Sequence, residues 1–593
     1  MTERSRPLAC VAAFAAALAL SACGSVQKST PCTFSYGDWT PAICPPRGTQ
    51  QRAASEGSPP GCSGEPALTQ QCTRPANWVW FAPLDPTPRA NFTGSPQFLS
   101  LFSPAASWPS AAARTSVFKL YAGALENLGD ANLRAVFADL DRRGIELALE
   151  YGVLGDTDAC GRGVEGFGGR ALGHAARRIA ALGGTLRYVA MDEPFYFGSL
   201  YDGANACRWS PQQVAADAAV SLRALKAEFP LVEVGDIEPL PIAGTDWLTR
   251  YTTMVDAFAT AGFPLAFMHA DVQWTDTDWR AGVDALRAVA TARAVRFGVI
   301  YNGDSADLTD AQWIGKADQR MPAYELESGA PDVAVFQSWH PYPRTLLPDT
   351  DSDAFTWLIN RYRRIRTALT GALQGSLAGG SLRTATGDAL ARASVVVSAQ
   401  ATSGLGLTGT YLVSGPIPAG TTTMAMGVRV NTQCNNCRGD ADLLVESTRT
   451  DIGGSTVTRD FRDGFTSWTV SNPAVVSLEG TSARLIVPTA QRLLLTSAPF
   501  AAAGSAFTFT VVARVAPASR GSGHFVLIFG DANGEISRAE IPLEAAKVPL
   551  GTATTDSAGH WQVSLPLSGV DGARLWADYA GDVALWPARV VVR

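Results

Sequence analysis

The chain has 593 residues, of which 46% are hydrophobic and 17% charged, and its formal net charge is −6 at neutral pH. This length predicts several domains, with enough apolar residues for a sizeable core in the larger ones. The slightly acidic balance provides no basic surface for a phosphate backbone, so nucleic acid is excluded as the expected partner.

The first 23 residues have the features of an export signal. Arg4 and Arg6 precede an apolar run at residues 8–20, which is shorter than the roughly 20 residues of a membrane-spanning helix. The following LSACG, at positions 20–24, resembles the lipobox of bacterial lipoproteins. That resemblance implies that Cys23 carries a lipid and holds the protein on a bacterial membrane, facing the periplasm or the cell surface. The alternative is an ordinary cleaved signal that happens to contain a cysteine.

Apart from Cys10 and Cys23, the cysteines fall into three local groups of even number: Cys32, Cys44, Cys62 and Cys72; Cys160 and Cys207; Cys434 and Cys437. Such grouping is typical of disulfides formed in an oxidising compartment. We expect one disulfide between Cys160 and Cys207 and another between Cys434 and Cys437. Zinc is the alternative for the last pair, but a closed zinc site needs about four ligands, and no second pair or nearby histidine supplies them.

Residues 30–74 are rich in cysteine, proline and glycine and are too few to fold around a core without covalent staples. The order of Trp39, Cys44, GTQQR at positions 48–52, Cys62 and Cys72 resembles a thrombospondin type 1 repeat, although the family usually has six cysteines. The resemblance implies stacking of Arg52 on Trp39, and disulfides Cys44–Cys62 and Cys32–Cys72. We expect a spacer or adhesive module.

Residues 77–372 alternate between apolar β-type runs and amphipathic helical runs, with eight of each. Strands rich in Val, Ile and Phe that are separated by helices predict a parallel sheet covered on both faces. Eight such repeats in this length predict a (β/α)₈ TIM barrel. The alternative is an open doubly wound sheet, but FAPLD at positions 81–85 is not the glycine-rich turn that normally follows its first strand. The predicted strands are 78–81, 116–121, 145–151, 186–193, 231–238, 265–271, 296–302 and 332–339.

The character of the sequence changes from residue 377 onward, where short alternating segments rich in Val, Thr and Ser predict antiparallel all-β structure. We predict a small β-domain at residues 377–453 and a β-sandwich at residues 456–593. The sandwich opens with FRDGF at positions 461–465 and resembles the jelly-roll modules often attached to polysaccharide enzymes.

Polar residues are concentrated where the predicted barrel strands end, which is where barrel enzymes build their active sites. Because side chains alternate along a strand, Asp236 shares a face with Glu238, and His269 shares a face with Asp271. We expect the whole group to line the site, with Glu193 in the largest concave region of the barrel. The polar candidates are Lys119, Tyr121, Glu150, Tyr151, Asp192, Glu193, Asp236, Glu238, His269, Asp271, Asn302, Gln337 and His340.

The sequence Asp192-Glu193-Pro194 ends the fourth predicted strand and resembles the Asn-Glu-Pro found there in many retaining barrel glycosidases. The resemblance makes Glu193 the acid/base residue. The Asp-Glu pair also resembles the substrate-assisted hexosaminidases, in which the acetamido group of the sugar attacks and Asp192 would orient it.

Glycosidic cleavage needs a second carboxyl group beside the proton donor. The seventh strand, where the retaining glycosidases keep their nucleophile, offers only Asn302 and Asp304. We therefore expect the partner elsewhere, with Glu238 ranked first, then Asp271, then Asp236.

Aromatic residues in the same loops indicate a surface for sugar rings, whose C–H faces pack on flat side chains. The residues concerned are Tyr196 and Trp209 after the fourth strand, Trp274 after the sixth and Trp339 after the eighth. Together with the polar candidates they predict a polysaccharide or another glycan as the ligand.

Our leading hypothesis is an extracytoplasmic glycoside hydrolase that uses carboxylate acid/base catalysis without cofactor or metal. One alternative is a non-catalytic carbohydrate-binding or adhesive lipoprotein, which the missing glutamate on the seventh strand favours. Another is a metal-dependent deacetylase-type hydrolase, since Asp236, Glu238, His269 and Asp271 include possible metal ligands, but no His-x-His follows the first strand.

Overall fold

The computed structural model describes residues 31–37, 49–60, 62–71, 78–89, 92–244, 246–276, 279–432, 440–519, 522–582 and 584–593. The predicted signal with Cys23 and the Cys434–Cys437 pair lie outside these ranges. None of the helices within them is long and apolar enough to cross a membrane.

Eight parallel strands close into a barrel, in which each strand pairs with the next in sequence and the last pairs with the first. This closure confirms the predicted (β/α)₈ barrel and excludes the open sheet. The strands are β1 (Trp78–Ala82), β2 (Val117–Tyr121), β3 (Glu146–Tyr151), β4 (Leu186–Asp192), β5 (Glu233–Leu240), β6 (Phe267–Val272), β7 (Arg296–Tyr301) and β8 (Val333–Gln337).

Helices cover the outside of the barrel and pack on every strand, which is why both faces of the strands are apolar. The helices are α1 (Pro109–Arg114), α2 (Ala122–Asn127), α3 (Asp130–Arg143), α4 (Leu172–Ala181), α5 (Pro211–Glu228), α6 (Trp247–Thr260), α7 (Trp279–Ala292), α8 (Asp310–Ser328) and α9 (Phe355–Tyr362).

The barrel lumen is filled by one set of alternating side chains, including those of Trp80, Tyr188 and Phe267. Its amino end is closed by ion pairs of Glu233 with Arg187 and Arg296. The lumen is therefore packed below and can admit a ligand only at the carboxyl ends of the strands.

In the N-terminal module a disulfide joins Cys32 to Cys62, so the pairings Cys44–Cys62 and Cys32–Cys72 that the family resemblance implied are wrong. The reason is the register of two adjacent segments: the backbone N–H of Cys32 donates to Ser63 O at 3.0 Å. Cys44 and Cys72 themselves lie outside the described residues. A module with four cysteines instead of six therefore does not take over the family pairing.

Two short strands of the same module, Thr49–Gln51 and Thr69–Gln71, pair antiparallel. The guanidinium of Arg52, next to the first strand, lies 3.5 Å from the centre of the Tyr36 ring. The predicted partner Trp39 lies outside the described residues, so Tyr36 is the aromatic contact that the structure shows.

The region after the barrel is all-β, as predicted, and forms two sandwiches with separate cores. The outer sandwich contains a three-stranded sheet and a four-stranded sheet. Its strands are Thr367–Gln374, Leu377–Thr384 and His560–Ser564 in the first sheet, and Ser394–Gln400, Lys547–Thr554, Arg574–Tyr579 and Ala588–Val591 in the second.

The inserted sandwich lies between residues 400 and 547 of the outer one. Ala441–Ile452 pairs with both Ser482–Val487 and Ala506–Val515, so the strand pairing does not follow the predicted division at residues 453–456. The strands of its two sheets are Gly409–Pro416, Ala441–Ile452, Ser455–Asp460, Val476–Glu479, Ser482–Val487 and Ala506–Val515, and Thr423–Asn431, Trp468–Val470, Arg492–Ser497, Phe500–Ala501, Ser522–Asp531 and Gly534–Pro542.

The outer sandwich is joined to the barrel through Trp586, which is buried in the barrel's own core cluster. The backbone N–H of Trp586 donates to Ile365 O at 2.7 Å. The guanidinium of Arg366 lies 3.7 Å from the centre of the indole ring, and Tyr362 of α9 meets that ring edge-on. These contacts fix the outer sandwich to the helical layer of the barrel.

The insertion leads to a test by deletion. Gln400 pairs directly with Lys547, so the two ends of the inserted sandwich are adjacent. We expect that replacing residues 401–546 by a short Gly/Ser turn leaves the barrel and the outer sandwich folded. The measurement is urea unfolding monitored by tryptophan fluorescence, with the full chain as control. The shortened chain should keep the cooperative unfolding transition of the barrel. A shortened chain without cooperative unfolding would contradict the insertion.

Candidate active site

Side-chain alternation sorts the predicted site residues into two groups. On β5, Ile237 belongs to the lumen cluster, so its neighbours Asp236 and Glu238 point outward to the helices. Tyr151 likewise lies in the helix-facing core. The opposite group follows or precedes lumen residues at a spacing of two and faces the lumen: Lys119, Tyr121, Glu150, Asp192, His269, Asp271, Asn302 and Gln337.

The central feature of the lumen mouth is a pair of carboxyl groups from β4 and β6. Glu193 follows β4 directly, is 9% exposed, and its side chain hydrogen-bonds Asp271. Burial, followed by the negative charges of Asp271, Asp192 and Glu165, raises the pKa of Glu193 well above its usual range. Neighbouring carboxylates thus contribute to the raised pKa as well as burial.

The pKa of Asp271 is raised to about 7 by burial and by the charges of Glu150 and Glu165, against the lowering effect of its hydrogen bond with Glu193. Two carboxyls in direct contact cannot both ionise easily, so the pair keeps a proton near neutral pH. Glu193, whose pKa is raised well above its usual range, is the candidate for holding that proton.

The turn that carries Glu193 has a strained backbone. Its φ is 47°, in the left-handed region, which costs a non-glycine residue on the order of 1 kcal/mol. The N–H of Glu193 donates to Ile237 O at 3.1 Å, and this bond ties the turn to β5. Strain of this kind persists only where the surroundings hold it in place.

Glu238 supplies that support from the helix side of β5. Its two carboxylate oxygens accept the backbone N–H groups of Phe195 at 2.7 Å and Tyr196 at 3.0 Å. It is 1% exposed and does not face the lumen, so the expectation that Glu238 is the first-ranked catalytic partner is not met. Its place in the structure is that of an anchor for the Glu193 turn.

Asp236 and Tyr151 are also corrected by their position. Asp236 accepts a hydrogen bond from Tyr251 of α6 at 2.8 Å, and burial raises its pKa to about 8. Tyr151 is buried in the helix-facing core. In a strand that is buried on both sides, a polar residue near its end can face either layer, and these two face the helices.

The floor of the mouth is a buried ion pair on the opposite side of the lumen. Lys119 is fully buried and donates to Glu150 and Gln337. Gln337 also donates to Glu150 at 2.9 Å, and Tyr121 donates to Ser338 O at 2.8 Å. The charge of Lys119 is therefore matched by Glu150.

Four other predicted binding residues lie below or outside the mouth. His269 is fully buried between the rings of Trp80 and Phe267, and burial, then the charges of Lys119 and Arg296, lowers its pKa. Trp274 packs on Trp279 and Tyr301 beside the helices, so the expectation that it contacts sugar is not met. Arg320 donates to the backbone oxygen of Asn302 at 2.6 Å and lies 3.5 Å from its side-chain Oδ1. The indole N–H of Trp313 donates to His340 Nδ1 at 3.3 Å.

Three of the predicted aromatic residues keep part of their surface at this end of the barrel. Trp339 is half-buried and packs against the lumen cluster. Tyr196 and Trp209 are half-buried on the helix-facing core, and Trp209 also contacts the Phe167 ring. Of these three residues, Trp339 is therefore the one on the lumen side.

Sequence reasoning missed Glu165, which lies in the loop of residues 152–168. The predicted disulfide Cys160–Cys207 is present and joins this loop to the one after β4. A Cβ on Gly166 would lie 2.9 Å from Asp192 O, so the loop touches the end of β4 beside the carboxyl pair. The glycine-rich run next to Cys160 was the available signal.

The possible ligands of a metal do not come together. Asp236 and Glu238 face the helices, whereas His269 and Asp271 face the lumen. Across the described ranges, no group of three or more His, Cys, Asp or Glu side chains has an arrangement that could hold a metal ion. The deacetylase alternative therefore loses the ligand set on which it was based.

Two cavities among the described residues are lined by residues other than Glu193. One, of about 430 Å³, lies at the barrel rim between the loops after β1 and β8, lined by Arg89, Phe92, Thr93, Pro341, Tyr342 and Arg344. The other, of about 450 Å³, lies on the inserted sandwich around Arg429, Arg492 and Arg538. The rim cavity lies at the same end of the barrel as the carboxyl pair, since its lining residues follow β1 and β8.

No family model matches the chain, and no protein with a curated function matches it. Among solved structures, a glucosidase from Croceicoccus marinus is 13% identical with a TM-score of 0.31, over 74% of this chain and 96% of that one. A fungal β-1,4-galactanase is 12% identical with a TM-score of 0.28, over 38% of this chain and 77% of that one. The carboxyl transferase domain of Rhizobium etli pyruvate carboxylase is 13% identical with a TM-score of 0.26, over 44% of this chain and 39% of that one. The function is therefore argued below from the residues of the site.

The role of Glu238 leads to a stability test. In Glu238→Gln one carboxylate oxygen becomes an amide NH₂, which faces a buried backbone N–H and cannot accept its hydrogen bond. We expect the free energy of unfolding to fall by about 2 kcal/mol. Glu228→Gln, at the exposed end of α5, is the matched control and should change it by less than about 0.5 kcal/mol. Equal stability of the two variants in denaturant titration would show that Glu238 does not anchor the turn.

Proposed function

We propose that this protein is a glycoside hydrolase that cleaves a polysaccharide at the carboxyl end of its barrel. The observation that carries the proposal is the hydrogen-bonded carboxyl pair of Glu193 and Asp271, which keeps a proton near neutral pH. Hydrolysis of a glycosidic bond needs one protonated and one ionised carboxyl group. A buried pair of this kind supplies both from one site.

In this mechanism Glu193 donates its proton to the glycosidic oxygen as the bond to the leaving sugar breaks. For this step the sugar must enter between the two carboxyl groups and part them, because the acid and its partner act from about 5 Å apart or more. Asp271, once ionised, then either attacks the sugar carbon or activates a water molecule. Asp192 faces the lumen beside Glu193 and is a second candidate partner. In a substrate-assisted mechanism Asp192 would orient the acetamido group of an N-acetylated sugar. Asp271 ranks first because it contacts the proton donor directly.

Trp339 and the rim cavity lie after β8 and β1, at the same end of the barrel as the carboxyl pair. Half-buried rings such as those of Trp339 and Tyr342 offer flat apolar surfaces to sugar C–H faces. A cleft lined this way suits several consecutive sugar units, which supports a polymeric substrate.

A non-catalytic carbohydrate-binding protein is the second candidate function. The observation that favours it is the rim cavity, whose lining residues Arg89, Phe92 and Tyr342 do not include the carboxyl pair. In that case sugars would occupy the rim without reaching Glu193. The two functions differ in whether substitution of Glu193 affects anything beyond binding.

We further propose that the protein acts outside the cytoplasm and is held on a membrane by a lipid on Cys23. The disulfides Cys32–Cys62 and Cys160–Cys207 support an oxidising compartment. The lipobox-like sequence at positions 20–24 supports the lipid anchor.

Substitution of the proton donor tests the hydrolase directly. Glu193→Gln keeps the shape of the side chain but has no acidic proton, so we expect kcat to fall about a hundred- to ten-thousand-fold. The assay uses whichever polysaccharide the purified protein cleaves in a screen of bacterial and plant polymers. Asp236→Asn, on the helix side of the neighbouring strand, is the control and should stay within about threefold of the wild type. Near-full activity of Glu193→Gln would rule out Glu193 as the acid.

The pH dependence of kcat/KM provides a second test. The enzyme is active when Asp271 is ionised and Glu193 is protonated. Since the pKa of Asp271 is about 7, the rate should rise as pH increases through about 7 and fall again as Glu193 loses its proton. An acidic limb centred near pH 4, the ordinary value of a carboxyl group, would contradict the buried pair.

The anchor is tested by Cys23→Ser in a bacterium that expresses the full chain. Because the variant has no thiol to carry the lipid, we expect it to move from the membrane fraction to the soluble fraction. An immunoblot of the two fractions measures this. Cys10→Ser, within the apolar run, is the matched control and should remain with the membrane. If Cys23→Ser stayed in the membrane fraction to the same extent, Cys23 would not be the anchor.

A further inference from the structure

The cavity of about 450 Å³ on the inserted sandwich lies outside the core of that domain. Val428, Val430 and Leu493 fill the core. The residues that alternate with them, Arg429 and Arg492, therefore point outward, into the cavity. The strands that carry the cavity, in their order across the sheet, are Arg492–Ser497, Thr423–Asn431, Ser522–Asp531 and Gly534–Pro542.

The lining residues extend along these strands. At one end Arg492 lies opposite Asn431. At the other end Ile528 lies between Ala425 and Arg538 on the neighbouring strands. From Ala425 to Asn431 an extended strand rises about 20 Å. A space of this length suits a stretch of a linear polymer rather than a small ion.

Two arginines of the cavity share one carboxylate. Arg429 lies 3.5 Å and Arg538 lies 3.8 Å from the same oxygen, Oε1 of Glu540. Their guanidinium groups therefore lie close together on the outer face of the sheet. Arg538 also pairs with Glu535 at 2.6 Å.

Arg492 is the third arginine, and it has no carboxylate partner among the described residues. Its side chain is exposed, and its Nε donates to Asn431 Oδ1 at 3.3 Å. His524 on the same face is buried, and burial lowers its pKa, so this histidine is neutral at pH 7. Three positive charges thus face only the two carboxylates of Glu535 and Glu540, and the guanidinium of Arg492 remains available to a ligand.

Apolar and neutral polar groups complete the cavity. Leu494 is 38% exposed and lies opposite Arg429, and Ile528 is half-buried. Ser471 and Asn431 add a hydroxyl and an amide group. Guanidinium groups bind carboxylates and similar oxyanions through two parallel hydrogen bonds, and apolar side chains cover the carbon skeleton of a ligand. This combination matches a sugar that carries an acidic group.

The inserted sandwich also adjoins the end of the barrel that holds the carboxyl pair. Leu308, in the loop after β7, packs against the core of the sandwich. The side-chain amide of Gln312, in the first turn of α8, donates to Ser414 O at 3.3 Å. Because this loop follows the carboxyl end of β7, a ligand on the sandwich is held by a domain that contacts that end of the barrel.

We propose that this cavity is a binding site for an acidic polysaccharide, whose carboxylate or sulfate groups are bound by Arg492 and Arg429. The choice of a polysaccharide rests on the proposed glycoside hydrolase function, whereas the binding of an anion rests on the cavity and its arginines. The site holds the polymer and takes no part in the proton transfer by Glu193.

Binding of defined oligosaccharides to the full chain tests the site without requiring cleavage. The probes are an oligogalacturonate with its methyl ester and a sulfated galactan oligomer with its desulfated form, so that the two kinds of acidic group are tested separately. Isothermal titration calorimetry is done at about pH 7, where carboxylates are ionised. The proteins are the wild type, Arg492→Gln and the double variant Arg429→Gln/Arg492→Gln. Arg514→Gln is the matched control, because Arg514 is 45% exposed on the other sheet of the same sandwich and pairs with Glu446 at 3.5 Å.

We expect the wild type to bind at least one acidic oligomer more tightly than its neutral form. Arg492→Gln should weaken that binding about three- to tenfold, as expected for the loss of one exposed charge-assisted contact, and the double variant should weaken it further. Binding of the neutral forms should not change. Arg514→Gln should behave as wild type, and added salt should weaken the acidic complex.

The proposal is overturned if the wild type binds neither acidic oligomer, or if the double variant binds them as tightly as the wild type does. It is also overturned if Arg514→Gln weakens binding as much as Arg492→Gln does, because the attraction would then be a general effect of surface charge. If Arg492→Gln loses acidic binding but no polymer is ever cleaved, the hydrolase proposal fails and the anion site stands. If a polymer is cleaved and the double variant binds acidic oligomers as the wild type does, the hydrolase stands and the anion site fails.

Discussion

The pairing of β8 with β1 closes the sheet, and this closure determines the rest of the molecule. Once the strands form a ring, every second side chain points into a narrow lumen and the others pack on helices. Ion pairs around Glu233 close one end of the ring, so ionisable groups on the lumen face can meet a ligand only at the other end. There β3, β4 and β6 bring buried and half-buried carboxyl groups to the same end of the lumen.

Crowding of carboxyl groups is costly, and that cost is what makes the site chemically useful. Glu193 and Asp271 lie in direct contact, and burial together with neighbouring negative charge makes them hold a proton that exposed carboxyls would release. The backbone strain at Glu193 is maintained by Glu238 from behind the sheet. Both faces of β5 thus contribute: Ile237 fills part of the lumen, and Glu238 on the helix side supports the turn.

Much of the architecture could be predicted from the sequence because it depends on local patterns. The eight strands, the place of Glu193 at the end of β4 and the Cys160–Cys207 bridge follow from periodicity, turns and cysteine grouping. The sequence could not show whether the side chains of Asp236 and Glu238 point to the lumen or to the helices. The strand is apolar on both faces, with Val234 on one and Ile237 on the other, so side-chain alternation does not tell which face is the lumen face.

Two other features depend on contacts between distant parts of the chain. The loop that carries Glu165 reaches the end of β4 because Gly166 packs against Asp192, and no local pattern encodes that contact. The inserted sandwich follows from the pairing of Gln400 with Lys547, which lie far apart in sequence.

The most direct test of the account is a crystal structure of the E193Q variant with a bound oligosaccharide. We predict a glycosidic oxygen within about 3 Å of the substituted side chain, the distance of a hydrogen bond, with Asp271 on the other side of the sugar. A sugar bound only in the rim cavity or on a sandwich, away from Asp271, would contradict a catalytic carboxyl pair.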